Sequence, residues 1–362
     1  MTHGELSDGC GRAITYLRIS VTDRCNYRCV YCMPPEGVPA RRHEDMLSAE
    51  DIARFVALAA REGVRRVRLS GGEPLVSRRI VPLIRCIRAT PGIEDIALTT
   101  NGALLPHMAR ELQDAGLDRV NISLDTLDTA QFTQITRLGR VEQALAGIDA
   151  ALAAGLSPVK VNTVVVRRLE QDVLALARLS LDRPIHVRFI EYMPIGSGQE
   201  LDERAPGHGE ARGGRGDTEQ IGAVLEPGLW DASDIIPSAE LRARIAAEGA
   251  ACGLGDLEPA GASAPMGAGP ARYWRFPGAK GTIGFISAMS DHFCASCNRL
   301  RLTADGTLRP CLFSDAEYPI RKALKAGDDQ AVREMFHEAL AHKPRQHDHI
   351  DGTRRFMSQI GG

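Results

Sequence analysis

The sequence predicts an α/β protein built on a parallel sheet, and three observations carry that reading. Six short β-rich runs alternate with segments of helical periodicity between residues 14 and 192, and strand–helix–strand repetition implies parallel pairing. Polar and glycine-rich turns fall at or just past the C-terminal ends of those runs, the rim where a (β/α) barrel assembles its active site. The chain has 362 residues, enough for two domains or one barrel with an extension at about 150 residues per domain. Right-handed crossovers leave an open doubly wound sheet or a partial or full barrel, and periodicity alone does not choose.

The elements follow in order. ITYLRIS (14–20) reads as the first strand and leads into CNYRCVYC, Cys25 to Cys32. Ser48, with Asp51 three residues on, has capping-box spacing, and Ile52, Phe55, Val56 and Ala59 share the face of the helix it opens. The next strands are VRRVRLS (64–70), before Gly71-Gly72-Glu73-Pro74; EDIALTT (94–100), before Asn101-Gly102; DRVNISL (118–124), before Asp125; VKVNTVVV (159–166); and IHVRFIE (185–191), before Tyr192-Met193. Lys160 and Asn162 share one face of the fifth strand, and a charged face on a buried strand is costly unless something pairs with it. From about 197 to 229 the chain is rich in Gly, Arg and acidic residues without apolar period, as expected of a loop or insertion. A helix at 238–249, a Gly/Ala/Pro-rich loop through 270, and β-rich RYWRF and GTIGFIS come next. LRLTADGTLRPCL (300–312) reads as a hairpin turning at Asp305-Gly306, with Arg299 and Arg301 on one face. The tail is helical from about 315 to 340 and closes on FMSQIGG. This divides the chain into a barrel region, 1–250, and a C-terminal extension, 251–362.

Composition narrows the function. A formal charge of −2 argues against a protein that coats nucleic acid. No apolar run approaches the roughly 18 residues of a membrane helix, and the first 30 residues lack the apolar core of a secretory signal. Nine cysteines, an odd number, fit a reducing cytoplasm better than a disulfide scaffold.

Cys25, Cys29 and Cys32 bring three thiolates onto one short loop, and Cys294, Cys297 and Cys311 form a second set of three, the last delivered from beyond the hairpin. An iron–sulfur cluster is normally held by four cysteines, so a set of three leaves one iron open to bind and react. Zinc is the competing reading: one four-cysteine site drawing on both sets, or a set completed by a histidine such as His292. Cys10, Cys86 and Cys252 read as free thiols.

The run LRISVTDRCNYRCVYCMP, Leu17 to Pro34, resembles the radical S-adenosylmethionine superfamily. With SGGEPL (70–75), TTNG (99–102), NISLD (121–125), VKVN (159–162), RFIEYM (188–193), CASCNRLRLTADG (294–306) and the terminal Gly-Gly, the chain is similar to the GTP 3′,8-cyclase family, molybdenum-cofactor biosynthesis protein A. The resemblance spans nearly the whole chain apart from the loops at about 197–229 and 252–270. It implies a partial (β/α)6 barrel of the TIM type, with a β-rich and helical extension carrying a second cluster.

The resemblance implies two 4Fe–4S clusters and S-adenosylmethionine as cofactors. Cys25, Cys29 and Cys32 hold the cluster that cleaves S-adenosylmethionine; Tyr31, Gly72, Glu73, Ser123, Arg188 and Met193 match positions around that molecule. Arg18, Arg68, Thr99, Lys160, Arg299, Leu300 and Arg301 match contacts to GTP, and guanidinium forks suit phosphate oxygens. Cys294, Cys297 and Cys311 hold the second cluster, whose open iron binds guanine while C3′ of the ribose is activated and joined to C8. The product is (8S)-3′,8-cyclo-7,8-dihydroguanosine 5′-triphosphate, the first step of molybdenum-cofactor biosynthesis. The resemblance further implies that the terminal Gly361 and Gly362 would reach into the active site. Further implications are a homodimer, a flavodoxin or ferredoxin as electron donor, and a downstream pyranopterin monophosphate synthase. The alternatives are another radical enzyme with an auxiliary cluster that modifies a peptide or nucleic acid, and a non-catalytic zinc protein. Ser70 stands where the family usually has threonine, and Pro194 where an acidic residue is common.

Overall fold

The computed structural model describes residues 6–39, 41–195, 232–265, 269–347, 353 and 355–361. All six expected strands form: β1 (Tyr16–Ser20), β2 (Arg66–Ser70), β3 (Asp95–Thr100), β4 (Arg119–Ser123), β5 (Val159–Val165) and β6 (Ile185–Glu191). They pair in parallel in chain order. The crossovers hold α1 (Ala49–Glu62), α2 (Ile80–Arg88), α3 (Leu105–Asp114), α4 (Thr129–Thr136), α5 (Val141–Ala153) and α6 (Val173–Asp182). The capping box that opens α1 is present: Ser48 Oγ accepts from Asp51 N at 3.0 Å and the Asp51 carboxylate accepts from Ser48 N at 2.9 Å.

Alternation along each strand sorts the side chains. Leu17, Ile19, Val67, Leu69, Ile96, Leu98, Val120, Ile122, Val161 and Val187 point to the helix side and are fully buried in the main core. The opposite parity places polar and charged residues on the inner face, as the Lys160/Asn162 pattern predicts.

The C-terminal half is not a separate sheet. After α7 (Ser238–Ala251) come β7 (Glu258–Pro259), β8 (Arg272–Arg275) and β9 (Thr282–Ile286). Strand β9 pairs in parallel with β6. β10 (Arg299–Leu302) pairs in parallel with β1 at the opposite edge. β11 (Thr307–Arg309) and β12 (Tyr318–Pro319) continue from it antiparallel. The result is one open twelve-stranded sheet in the order β12-β11-β10-β1-β2-β3-β4-β5-β6-β9-β8-β7. Helices α8 (Arg321–Ala326), α9 (Asp329–Ala341) and α10 (Met357–Ile360) complete the chain.

Three details differ from the sequence reading or extend it. The loop through 270 contains the short strand β7, held by antiparallel pairing with β8, a long-range contact with no local signature. Cys10, Cys86 and Cys252 are free as expected, and all three are exposed. The insertion expected at about 197–229 lies outside the described residues. Among the described residues no helix is long and apolar enough to cross a membrane.

Candidate active site

The inner face of the sheet carries the cations. Arg18 sits between Arg68 on β2 and Arg301 on β10, its register partners on either side. Lys160 on β5 is in register with Asn121 and His186, and Arg188 on β6 with Asn162. Arg68, Lys160, Arg188 and Arg301 are each buried. Arg188 and Arg119 of this face have side-chain acceptors. Arg188 donates to Asn162 Oδ1 at 2.9 Å and to Asn121 Oδ1 at 2.7 Å, while Arg119, toward the opposite strand end, forks onto Asp95 with its Nε at 2.6 Å. The Nε atoms of Arg18 and Arg68 are buried without a hydrogen bond among the described residues. Burial, then Arg188, Arg119 and Arg68, push Lys160 down to about 6; burial and Arg299 push Arg301 down to about 9. Burying like charges together is costly, and a polyanion on this face reverses the sign of that term.

The first cysteine loop is fastened on both sides. Arg28 N and Val30 N donate to Thr136 O and Ile135 O at the end of α4, both at 2.9 Å. On the other side Gly72 N donates to Thr22 O and Glu73 N to Arg24 O, both at 2.8 Å. This approach requires glycine: a Cβ on Gly71 meets Thr22 O at 2.3 Å, one on Gly72 meets Arg24 O at 2.3 Å, and Gly71 has φ +140°. The Glu73 carboxylate is fully buried and accepts from Leu75 N at 3.0 Å, Thr100 Oγ1 at 2.7 Å and Asn101 N at 2.7 Å; burial raises it to about 7 against those donors. Tyr31 donates its hydroxyl to Asp125 Oδ2 at 2.6 Å. Burial lifts the thiols of Cys25 to about 11 and Cys32 to about 12, and Cys29 well above the usual value.

The second loop is fastened by cations. Cys294 opens a 3-10 turn (Cys294–Ser296), and Cys311 follows β11. Arg12 donates to Cys294 O at 2.8 Å and Pro344 O at 2.8 Å. Lys343, buried, donates to Arg299 O at 2.8 Å and Pro310 O at 2.6 Å, the latter next to Cys311. Burial raises the Cys297 thiol, but Arg299 and Lys343 outweigh it and hold it at about 7.

One cavity joins these features. All six cysteines line it, with Arg18, Arg68, Arg188, Arg299, Arg301, Tyr31, Gly72, Glu73, Thr99, Ser123 and Met193. None of the cysteines is in a disulfide. Two sets of three free thiols, each on one short stretch or hairpin, suit two clusters that each keep an open iron. Lys160 stands on the same inner face one rung below Asn162, which lines the cavity. Leu300 points the other way, fully buried in the helix-side core. The carbonyl of Gly361 accepts from Arg301, and a Cβ on Gly361 meets Ser70 Oγ at 2.7 Å; Gly362 lies outside the described residues. The sequence reading placed Asp125 on the rim without a role, and missed Asn121, Arg12 and Lys343 as parts of the site. Asp125 and Asn121 lie within the NISLD motif, but only the fold shows what they hold.

The fold and the first cysteine loop define the class. Residues 19–179 match the model of the Radical SAM superfamily and residues 226–349 that of Molybdenum Cofactor Synthesis C. Among solved structures, Streptococcus suis SuiB bound to S-adenosylmethionine superposes with a TM-score of 0.54 at 15% identity, covering 90% of this chain and 68% of its own. The enzyme anSMEcpe with bound AdoMet gives 0.53 at 14%, covering 91% and 79%; both show the shared fold. The closer likeness is in sequence. The GTP 3′,8-cyclase of Pelotomaculum thermopropionicum is 46% identical over 361 residues, covering 99% of this chain and 100% of its own. That of Heliobacterium modesticaldum is 48% identical over 361 residues, covering 98% and 99%. This chain belongs to the GTP 3′,8-cyclase family, the radical S-adenosylmethionine lyases of molybdenum-cofactor biosynthesis. S-adenosylmethionine and 4Fe–4S clusters come with that membership, which sets the zinc reading aside.

Proposed function

We propose that the cavity binds S-adenosylmethionine and GTP side by side and converts GTP to (8S)-3′,8-cyclo-7,8-dihydroguanosine 5′-triphosphate. One observation carries the reading: two sets of free thiols and a row of buried cations line a single cavity. Cys25, Cys29 and Cys32 would hold one 4Fe–4S cluster and Cys294, Cys297 and Cys311 the other. When bound, the first supplies the electron that splits S-adenosylmethionine, and the second an open iron for guanine.

The chain's own residues bind, orient and exclude water. Tyr31, held by Asp125, offers a ring against adenine, and the Gly72–Glu73 turn faces the methionyl end with Ser123, Arg188 and Met193. Arg18 and Arg68 direct unused Nε–H groups at the triphosphate, with Arg299, Arg301 and Thr99 alongside. Lys160 takes up a proton when the triphosphate arrives. Gly361, whose carbonyl accepts from Arg301, would take part in turnover together with Gly362, and residues appended after Gly362 should abolish it. The same reading brings a homodimer in the cytoplasm, a flavodoxin or ferredoxin donor and a downstream pyranopterin monophosphate synthase.

The test is release of 5′-deoxyadenosine from the anaerobically reconstituted protein with S-adenosylmethionine and dithionite, with and without GTP. GTP-dependent release with a nucleotide product of unchanged mass supports the reading. Slow release indifferent to GTP overturns the substrate assignment.

A further inference from the structure

The last described residues bring Met357 to the cavity wall and Gly361 O to Arg301, yet the helix they form is only four residues long, Met357–Ile360. A single turn has no stability of its own, because one hydrogen bond cannot offset the ordering of several residues. Something else must seat it. Part is apolar: Phe356 and Ile360 are buried, the latter against Ile195 and Phe313. The other part is ionic.

Arg355, immediately before this turn, has a side chain only 11% exposed. Its Nη1 donates to Asp305 Oδ2 at 3.0 Å, its Nη2 to Glu317 Oε2 at 2.7 Å, and its Nε lies 2.6 Å from Glu317 Oε1. Both carboxylates belong to the segment that carries the site: Asp305 is in the turn after Arg301, and Glu317 lies between Cys311 and β12. Asp305 also pairs with Arg41 at 2.9 Å, on the stretch that follows the first cysteine loop, and Glu317 with Arg309. Charges therefore alternate Arg41–Asp305–Arg355–Glu317–Arg309. Burial opposes ionisation of Asp305, but Arg355, Thr303 and Arg41 outweigh it and keep the carboxyl below its usual range. Thr353 Oγ1 accepts from Arg355 N at 3.2 Å and fixes the backbone on the other side.

From this anchor the chain touches both halves of the site. Gly361 packs against Ser70 at the end of β2, Met357 lines the cavity, and Gly361 O accepts from Arg301. We propose that Arg355, clasped by Asp305 and Glu317, is the positioning residue that seats the C-terminal turn in the cavity and couples its placement to the hairpin of the second cysteine set. The proposal rests on the reading that the Gly361–Gly362 end takes part in turnover. The clasp is a bidentate pair at a partly buried site, where such pairs are worth more than exposed ones.

The experiment compares wild type, Arg355→Ala, Arg355→Lys and Gly361→Ala as reconstituted holoenzymes. Amide exchange is read over 356–361, with β10 as internal reference, alongside nucleotide product formed per 5′-deoxyadenosine released. Arg355→Ala should speed exchange of the turn by roughly three- to tenfold while β10 is unmoved, and lower the product yield per S-adenosylmethionine consumed. Arg355→Lys, which keeps the charge but loses the fork, should fall between. In wild type, raising salt should speed exchange of the turn in the same direction. Unchanged exchange in Arg355→Ala overturns the proposal, as does faster exchange with an unchanged yield. Gly361→Ala leaves the clasp intact, so full turnover by that variant discards the role of the tail itself, a failure distinct from that of the clasp.

Discussion

The two cysteine sets share one cavity but differ in the charges packed against them. Around the first, burial and the carboxylates of Asp125 and Glu73 raise the thiols, to about 11 for Cys25 and about 12 for Cys32. In the second, burial likewise raises the Cys294 thiol, but Arg299 and Lys343 hold Cys297 at about 7 despite its burial. On the proposed reading the difference at Cys297 would follow the ligands: S-adenosylmethionine would bring a sulfonium cation to the first set, and Arg299, beside the second, would both face the nucleotide and offset the thiolate.

Removing either set should break this division most severely. Cys25→Ala should abolish 5′-deoxyadenosine release altogether, whereas Cys297→Ala should keep a slow, GTP-independent release and lose both its stimulation by GTP and the nucleotide product. Each variant should retain about half the iron of wild type, that of one four-iron cluster. Equal loss of both activities in the two variants would erase the distinction.

The metal-free protein offers a direct reading of the two environments. Alkylation near pH 7 should modify Cys297 roughly fifty- to a hundredfold faster than Cys25, the thiolate fraction favouring Cys297 and intrinsic nucleophilicity partly opposing it. Its rate should climb up to about pH 7 and level off, while the rate at Cys25 keeps rising toward about pH 11. Peptide mapping by mass spectrometry resolves the order.

On the cationic side, Arg68→Ala removes a buried donor whose Nε has no hydrogen bond among the described residues and, on the proposed reading, should weaken GTP binding by roughly ten- to a hundredfold, the worth of a charged hydrogen bond, with S-adenosylmethionine affinity unchanged. Calorimetric titrations of both ligands check the split.

The smallest effect is a proton. Lys160, held at about 6 in the free protein, is mostly neutral at about pH 7.5, and a bound triphosphate raises it. GTP binding should therefore take up close to one proton, and affinity should fall as pH rises above about 6, by at most about tenfold per pH unit. Titrations in buffers of different ionisation enthalpy count the proton, and Lys160→Met should remove it.

Much of this was legible in the chain because it is local. Strand parity exposed Lys160/Asn162 and Arg299/Arg301, and three-cysteine spacing exposed both thiol sets. What stayed hidden depends on long-range pairing. Nothing near Thr282 or Arg299 states that β9 and β10 join opposite edges of the barrel sheet. Likewise Arg12 and Lys343 are ordinary as sequence, and only the fold brings them to carbonyls beside Cys294 and Cys311. The resemblance matches Gly72 to a position around S-adenosylmethionine; the fold adds that the cysteine loop itself presses against the Gly71-Gly72 turn.

The opposite-edge docking of β9 and β10 has a manufacturing consequence. A chain stopped near residue 250 would present both margins of its parallel sheet, β1 and β6, as rows of unpaired amides and carbonyls, the kind of surface that polymerises. The C-terminal third is thus a pair of bookends as well as a bearer of cysteines, and a nascent chain covers both margins only after β10 has emerged.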